Sequence, residues 1–371
     1  MKRRIKLWIF TLLILGMFSA KGNCLTPDDR YHSYSEISND FSELANNNSD
    51  LASIVNLGNS FEGRKIFALK ITKGDEEKPK ILFTGGVHAR EWLGVETTRL
   101  IAKYILADYD KDSEVKKLLD NAEVWIVPAA NPDGFEYDRS TGSAPGWRKN
   151  RRPVDVNNDG SIDGIGVDLN RNFDFHWDPP LTASTNPSSD IFRGPSAASE
   201  PEVKILQALL DQGFSAFIDF HSFSQLIIYP WGYSSSAAPD VGDFENMGQE
   251  MNQKIFGVNN KSYTVGQIPH VLYPVSGDNV DYAYGKLKTY AFCIELPPAG
   301  GGGAGGFHPP ANFIIPTAKE NYEAVKYLVA SMIKEPKNPK ESPQPKKPGN
   351  PNEPEIINII IKPEGSENTK E

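Results

Sequence analysis

The chain has 371 residues, of which 39% are hydrophobic and 11% aromatic, so it can bury a sizeable core in one large domain or two ordinary ones. Its formal net charge of −9 makes it a poor candidate for binding nucleic acid or an anionic membrane surface. Its two cysteines are Cys24 and Cys293. A disulfide between them stays open, but Cys293 lies in an apolar run and is better interpreted as a small buried hydrophobe.

The N-terminus combines a basic cluster with an apolar run from Leu7 to Phe18. A run of about a dozen residues is too short to span a bilayer and is typical of a secretory signal. A short buried helix is the alternative, but a core helix needs no basic cluster. We therefore predict that residues 1–22 are a signal peptide and that the mature chain is secreted or periplasmic. Cys24 leaves a lipid anchor open, although Lys21-Gly22-Asn23 matches the usual small-residue pattern poorly.

Between residues 30 and 335, apolar runs suited to strands alternate with segments of helical period, which predicts one α/β domain. We expect a mixed, mostly parallel twisted sheet with helices on both faces. The predicted strands are 66–71, 81–87, 124–128, 216–221, 226–229 and 290–296, and the predicted helices are 95–108, 200–212 and 317–334. A capping box from Ser199 to Glu202 would open the second helix. The Pro- and Lys-rich composition of residues 336–371 predicts a disordered tail.

Two of the six histidines stand where predicted strands end, which is where open α/β sheets place their ligands. His88 follows one strand with Glu91 three residues later, and His221 ends another. A catalytic zinc site uses three protein ligands and keeps a fourth position open for water. A pair of hydrogen-bonded core histidines is the alternative, and the residues alone leave the two interpretations about even.

Glu295 is a carboxylate inside the apolar run 290–296, and charged residues are rarely buried unless they are paired or functional. It could accept a proton from a zinc-bound water, or it could be an ion-paired glutamate at a strand end. Arg148 and Arg171 lie in two polar segments. Guanidinium groups bind carboxylates and stabilise oxyanions, although charge runs are usually solvated.

Together these segments resemble the zinc metallocarboxypeptidase family, and most closely its carboxypeptidase A and B branch. The resemblance covers residues 31–335. Its motifs, in the family's order, are His88-Ala-Arg-Glu91, Asn131-Pro-Asp-Gly134, Trp147-Arg-Lys149, Asp168-Leu-Asn-Arg-Asn172, His221-Ser-Phe-Ser-Gln-Leu226 and Phe292–Leu296. The resemblance implies an exopeptidase with one Zn²⁺ per chain that acts on the C-termini of peptides and proteins. We also expect a monomer. As a departure from the digestive relatives, which carry an inhibitory pro-domain, we expect none here, because fewer than about ten residues separate the predicted signal from Tyr31.

The resemblance implies a role for each matching position. His88, Glu91 and His221 would bind the zinc ion, Glu295 would be the general base, and Arg148 would polarise the scissile carbonyl. The implied substrate contacts are Arg90, Asn170, Arg171, Tyr273, Asp278 and Val280. Within this set, Asn170 and Arg171 would hold the terminal carboxylate and Tyr273 would close over the substrate. Asp168 would fix the tautomer of a ligand histidine.

Val280 matches the floor of the family's specificity pocket, where relatives that select Lys or Arg carry aspartate. An apolar floor predicts a preference for aromatic and large aliphatic C-terminal residues. Asp278 is a complication, because it stands two residues away and could reach a basic side chain. Phe223 replaces a tyrosine found in many relatives, so one substrate contact is expected to be missing.

Oxygen-bearing side chains also alternate in a loop after the basic cluster, at Asp155, Asn157, Asp159 and Asp163. This spacing resembles the first part of a calcium loop, but the twelfth position is Gly166 and not the usual glutamate. A solvated turn is the alternative.

Two alternatives to an exopeptidase of ordinary peptides and proteins exist for the whole chain: a binding protein without activity, and an enzyme that keeps the metal chemistry but acts on bacterial cell-wall peptides. A catalytically inactive binding protein would lack a ligand or the base, and none is missing; bacterial cell-wall peptides stay open as substrates.

Overall fold

The structure of the protein is a computed structural model that describes residues 27–142, 146–300 and 303–333. The predicted signal peptide, Cys24 and the predicted tail at 336–371 lie outside these residues. Within the described ranges, the helices are all too short or too polar to cross a membrane.

The described residues form ten strands and nine α-helices. The strands are β1 (Ala52–Asn59), β2 (Lys65–Ile71), β3 (Lys80–Gly85), β4 (Glu123–Val127), β5 (Pro153–Val154), β6 (Gly164–Ile165), β7 (Ala216–Ser224), β8 (Leu226–Tyr229), β9 (Thr264–Gln267) and β10 (Tyr290–Ala299). The helices are α1 (Tyr34–Asn47), α2 (Trp92–Asp108), α3 (Ser113–Asn121), α4 (Pro132–Thr141), α5 (Pro201–Leu210), α6 (Val241–Asn259), α7 (Ile268–Val271), α8 (Asn279–Leu287) and α9 (Ile314–Met332).

Eight strands form one sheet in the order β1-β2-β4-β3-β7-β10-β8-β9. Its centre is parallel, from β4 through β3 and β7 to β10, while β1, β2 and β8 add antiparallel pairings. Strands β3 and β7 are buried along most of their length, as expected for central strands covered on both faces. The predicted α/β class with a mixed, mostly parallel sheet is confirmed.

The six predicted strands are all present, with ends shifted by a few residues. The capping box predicted from Ser199 to Glu202 is wrong. Helix α5 begins at Pro201, its N-cap is Glu200, and no side chain caps it. The Ser199 hydroxyl donates to Glu200 Oε1 over 2.6 Å, and Glu202 Oε1 accepts from the backbone N–H of Phe61 over 2.9 Å. Ser199 therefore bonds to its neighbour and Glu202 to a distant loop, and neither bonds to the helix N-terminus as a capping box would.

The order of the central strands assembles the site. Strand β7 lies between β3 and β10, and His221 on β7 is in register with Glu295 on β10. His88 follows β3 by three residues. Because the carboxyl ends of parallel strands meet at one edge, the three side chains lie together although they are far apart in sequence.

Candidate active site

His88, Glu91 and His221 converge at the carboxyl edge of the sheet. Nδ1 of His88 lies 2.8 Å from Glu91 Oε1, and Nδ1 of His221 lies 2.9 Å from Glu91 Oε2. The two Nδ1 atoms are 3.0 Å apart, and all three side chains are buried. The ligand atoms of the group lie within 4.8 Å of one another, so the three residues can share one metal ion.

The other ring nitrogen of each histidine faces a second carboxylate. His88 Nε2 lies 3.2 Å from Asp168 Oδ1, and His221 Nε2 lies 2.6 Å from Asp219 Oδ2. Since an ionised carboxylate can only accept, Asp168 and Asp219 hold a proton on each Nε2 and leave both Nδ1 atoms facing Glu91. A cation in the centre can replace the protons between the two Nδ1 atoms and the Glu91 carboxylate, so that all three groups bind it. The residues therefore fit a zinc ion, which prefers nitrogen and carboxylate ligands.

The shifted pKa values of Glu91 and His221 also indicate that this cluster favours a positive charge. Burial alone would raise the pKa of Glu91, but the neighbouring imidazoles hold it well below its usual range. Burial would lower the pKa of His221, but Asp219 and Glu91 raise it well above the ordinary value. The cluster therefore stabilises a positive charge in its centre.

Glu295 lies on β10 beside this cluster and is the least enclosed of its carboxylates. Burial and the negative charge of Glu91 raise the pKa of Glu295 to about 8, while His221 and Arg148 act in the opposite direction. With His221 and Cys293 it forms a second group of potential ligand atoms within 4.8 Å. A carboxylate whose pKa lies near neutral pH can both take up and release a proton, which suits it to proton transfer.

Arg148 is held over the cluster by Asp168. Its Nε donates to Asp168 Oδ2 over 2.8 Å, and its Nη1 lies 3.8 Å from Glu91 Oε1. Burial would lower the pKa of the guanidinium, but these two carboxylates raise it. Asp168 thus binds both Arg148 and His88, and burial, which would raise its pKa, is outweighed by these two groups so that the pKa is well below the usual range.

Asn170 and Arg171 follow on a short 3₁₀ helix that Asp168 caps with its side chain. Arg171 Nε donates to the carbonyl of Thr182 over 2.8 Å, and Asn170 Oδ1 accepts from the backbone N–H of Asn279 over 2.9 Å. Both side chains are buried in the cavity wall. Their positions are fixed by backbone contacts, which suits residues that orient a ligand.

A cleft with about 450 Å³ of empty space, part of it open to solvent, joins these residues. Its wall contains His88, Glu91, His221, Arg148, Asn170, Arg171, Tyr273 and Glu295. The other lining residues, called the inner cavity below, are Ile228, Ile268, Leu272, Val275, Asp278, Val280 and Cys293. Tyr273 is 39% exposed, so its ring lies at the opening. The structure therefore brings ten of the eleven predicted site residues to one cavity.

Arg90 is the exception, since it does not line this cavity. Its Nη1 donates to Asp190 Oδ2 over 3.2 Å, and its guanidinium lies 4.1 Å from the ring centroid of Phe307. The predicted calcium loop also lies elsewhere.

The carboxylates of the predicted calcium loop accept hydrogen bonds from the loop itself. Asp155 accepts from the backbone of Asp159 and Gly160, and Asp163 accepts from Val156. Among the described residues, the groups of acidic, His and Cys ligands close enough for a metal do not include this loop. Calcium binding is therefore not supported.

Three residues of the site were missed from the sequence. Asp219 binds His221, Asn279 donates from Nδ2 to Asp219 Oδ2 over 2.6 Å, and Cys293 lines the inner cavity. Cys293 is a free, buried thiol, as expected. Asp219 carried a signal that could have found it, because a charged residue two positions before a strand-end histidine shares its face of the strand.

Comparisons with known proteins agree with this geometry. The family model for zinc carboxypeptidases matches residues 37–324. The chain is 37% identical to carboxypeptidase A2 of Mus musculus over 301 residues, covering 81% of this chain and 69% of that protein. It is 36% identical to carboxypeptidase B of Astacus astacus over 311 residues, covering 82% and 97%. The solved structure of carboxypeptidase A from Helicoverpa armigera has a TM-score of 0.72 at 32% identity, covering 83% of this chain and 74% of that chain.

These relatives include both A and B types, so the comparisons establish the reaction and leave the preferred side chain open. The family depends on zinc, and the described site contains a matching His-Glu-His group. The chain belongs to the zinc carboxypeptidase family, in its carboxypeptidase A/B-like branch, and is a metallocarboxypeptidase that hydrolyses peptides at their C-termini.

Proposed function

We propose that the protein is an exopeptidase in which His88, Glu91 and His221 hold one zinc ion, with a preference for aromatic or large aliphatic C-terminal residues. The observation that carries the proposal is the convergence of two imidazole Nδ1 atoms and a carboxylate beside a separate, partly open glutamate. When bound, the zinc ion polarises a carbonyl oxygen and acidifies water.

Glu295 is the proposed general base. It takes a proton from the attacking water and later delivers it to the leaving amine, which general acid–base catalysis requires of one group with a tuned pKa. Its neighbours support this role, because Glu91 and burial favour the protonated form while Arg148 and His221 favour the ionised one. Arg148 donates hydrogen bonds to the carbonyl oxygen on which negative charge develops.

The proposed residues that orient the substrate are Asn170 and Arg171, with Tyr273 and Arg90. Arg171 and Asn170 bind the terminal carboxylate, since a buried guanidinium matches a carboxylate's two oxygens. Tyr273 closes the opening from its exposed position. Arg90 contributes a secondary contact for an acidic group, provided that the group displaces the exposed carboxylate of Asp190.

The preference for apolar side chains follows from the inner cavity. Its walls are Ile228, Ile268, Leu272, Val275, Val280 and Cys293, which offer dispersion contacts and no cation-binding charge. Asp278 is the one charged residue there, and it already caps α8 by accepting from the backbone of Asp281 over 2.9 Å. Its second oxygen, Oδ2, has no donor partner, so tolerance of a basic side chain is the alternative that must be measured.

We further propose that the mature enzyme is a monomer of one catalytic domain over residues 30–335. It is released after removal of residues 1–22 and does not act on nucleic acid. Secretion or periplasmic location with a free N-terminus is favoured over a lipid anchor at Cys24, because Lys21-Gly22-Asn23 matches the pattern before a lipidated cysteine poorly. Intact-mass measurement of the exported protein would distinguish the two forms.

The test of the proposed activity uses zinc-loaded protein and N-blocked peptides that end in Phe, Leu, Lys or Arg, with cell-wall peptides as a further set. We expect release of one free C-terminal amino acid, identified by mass spectrometry. The matched control is the same peptide with an amidated C-terminus, which Arg171 cannot bind as a carboxylate. Cleavage of the amidated peptide at a comparable rate, or cleavage at internal bonds, would overturn the proposal.

A further inference from the structure

Asp219 is a fully buried carboxylate on β7, two residues before the metal ligand His221. Side chains two positions apart on a strand point to the same face, so its carboxylate lies beside the imidazole. The distance from Asp219 Oδ2 to His221 Nε2 is 2.6 Å, whereas the corresponding distance from Asp168 to His88 is 3.2 Å. The carboxylate partner of His221 is therefore closer to its imidazole than the partner of His88 is.

The partners of the two carboxylates also differ in charge. Asp168 shares its charge with the guanidinium of Arg148, which donates over 2.8 Å. Asp219 accepts from two neutral groups, the Thr84 hydroxyl over 2.5 Å and the Asn279 side-chain amide over 2.6 Å. No lysine or arginine of the described residues forms an ion pair with Asp219. Among the groups that hydrogen-bond to Asp219, His221 is therefore the one that can carry a positive charge.

We propose that Asp219 is a positioning residue that holds His221 with Nδ1 toward the metal and makes that nitrogen the stronger ligand of the two histidines. A carboxylate on the outer nitrogen fixes the tautomer and raises the basicity of the inner one. This inference rests on the proposed zinc site and adds a determinant of how tightly that site binds.

The hydrogen bonds of Asp219 continue toward the substrate. Asn279 donates from its side chain to Asp219 and from its backbone to Asn170 Oδ1. Asn170 is one of the residues proposed to hold the substrate's carboxylate. Asp219 therefore contacts His221 directly and reaches Asn170 only through Asn279. Removing the charge of Asp219 should therefore disturb the metal ligand more than the substrate contact.

The experiment measures zinc affinity by competition with a chromophoric chelator. Asp219→Asn keeps the size of the side chain and removes its charge, and we expect it to weaken zinc binding about 10- to 100-fold. The matched variant is Thr84→Val, which removes one neutral donor from the same carboxylate and keeps the charge. It should stay within about threefold of the wild type, the worth of a weak neutral hydrogen bond. Equal zinc affinity in Asp219→Asn and the wild type overturns the inference.

Two further measurements separate positioning from folding and from the proposed site. In excess chelator, the unfolding temperature of Asp219→Asn should be no lower than that of Thr84→Val, because the proposed effect of Asp219 acts through the bound metal. Nitrogen-15 NMR of zinc-loaded wild-type protein should show the His221 proton on Nε2, and a proton on Nδ1 overturns the inference even if Asp219→Asn does not fold. A wild-type protein that binds no zinc overturns the proposed site itself.

Discussion

Buried carboxylates at the metal end and at the inner end of the cavity have pKa values that are shifted in opposite directions. At the metal end, Glu91 and Asp168 face imidazole or guanidinium groups, which hold the pKa of both well below the usual range against the effect of burial. At the inner end, Asp278 and Asp281 are neighbours. Burial raises the pKa of both, and for Asp281 the charge of Asp278 adds to it.

The difference separates chemistry from specificity. Charges that are matched by fixed partners keep their geometry, and such preorganised groups are what a catalytic metal site needs. An unmatched carboxylate beside an apolar wall costs stability, but it is where a substrate side chain can change the energy of binding. Substitutions at the metal end should therefore change turnover or metal content, and substitutions at the inner end should change selectivity or stability.

The largest effect is expected at the metal end. Glu295→Gln should lower kcat by about 10²–10⁴-fold, the usual contribution of a general base, while zinc remains bound. His221→Ala should instead lose the metal, which metal analysis after gel filtration would show. A Glu295→Gln enzyme that keeps more than a few per cent of wild-type kcat would rule out the proposed role.

Selectivity is the next comparison. Val280 leaves an incoming ammonium or guanidinium without a partner on the pocket floor, and burying an unpaired charge costs several kcal/mol. We expect Phe-, Tyr- or Leu-ended peptides to be favoured over Arg-ended ones by at least about tenfold in kcat/KM, or about 1.4 kcal/mol. Val280→Asp should reverse the order.

Comparable rates on Phe- and Arg-ended peptides would contradict this prediction and point to Asp278. In that case Asp278→Asn should remove activity on the Arg-ended peptide alone, because asparagine keeps the N-cap of α8 and loses the charge. A variant that loses both activities equally would show a structural effect only.

A smaller effect concerns stability and pH. The raised pKa of Asp278 means that the fold favours the protonated form, so wild-type stability is lost as pH rises from the ordinary value of 3.8 through the raised one. Asp278→Asn has no such loss. We expect it to increase the free energy of unfolding by about 1 kcal/mol at pH 8 and hardly at all at pH 4.

The matched variant for this test is Asp112→Asn, which makes the same change at the partly exposed N-cap of α3. Asparagine and aspartate cap helices about equally well, so little change is expected at either pH. An Asp278→Asn protein that is less stable than the wild type at pH 8 would show that the carboxylate is needed as a charge.

The smallest expected effect lies outside the cavity. Since the carboxylates of Asp155 and Asp163 accept hydrogen bonds from their own loop, we expect no heat when zinc-loaded, calcium-stripped protein is titrated with millimolar calcium. Heat that disappears in Asp159→Ala would show that the loop opens to bind calcium after all.

Much of the fold could be predicted because the central strands are short, continuous apolar runs. Runs such as 81–87 and 216–221 can be recognised locally, since burial on both faces leaves few polar positions. The surface strand β1 was missed because its residues are mostly exposed or partly exposed and lack that signal. Helix α8 was missed because its first turn is polar. The burial of Asp281 there depends on hydrogen bonds from the backbone of Gly232 and Tyr233, which are far away in the sequence.

The sequence by itself determined the family, the zinc ligands proposed from it, the proposed base and the arginines, because each belongs to a motif whose residue types and order carry the chemistry. Tertiary structure alone decided which groups act on one another. His221 lies beside Glu295 because of the register of β7 and β10. Asp219 keeps its negative charge available for His221, because its other hydrogen-bond donors, Thr84 and Asn279, are neutral. Arg90 does not line the cavity, and its guanidinium donates to Asp190 instead. Such choices depend on distances between segments far apart in the chain, which no local pattern of residues contains.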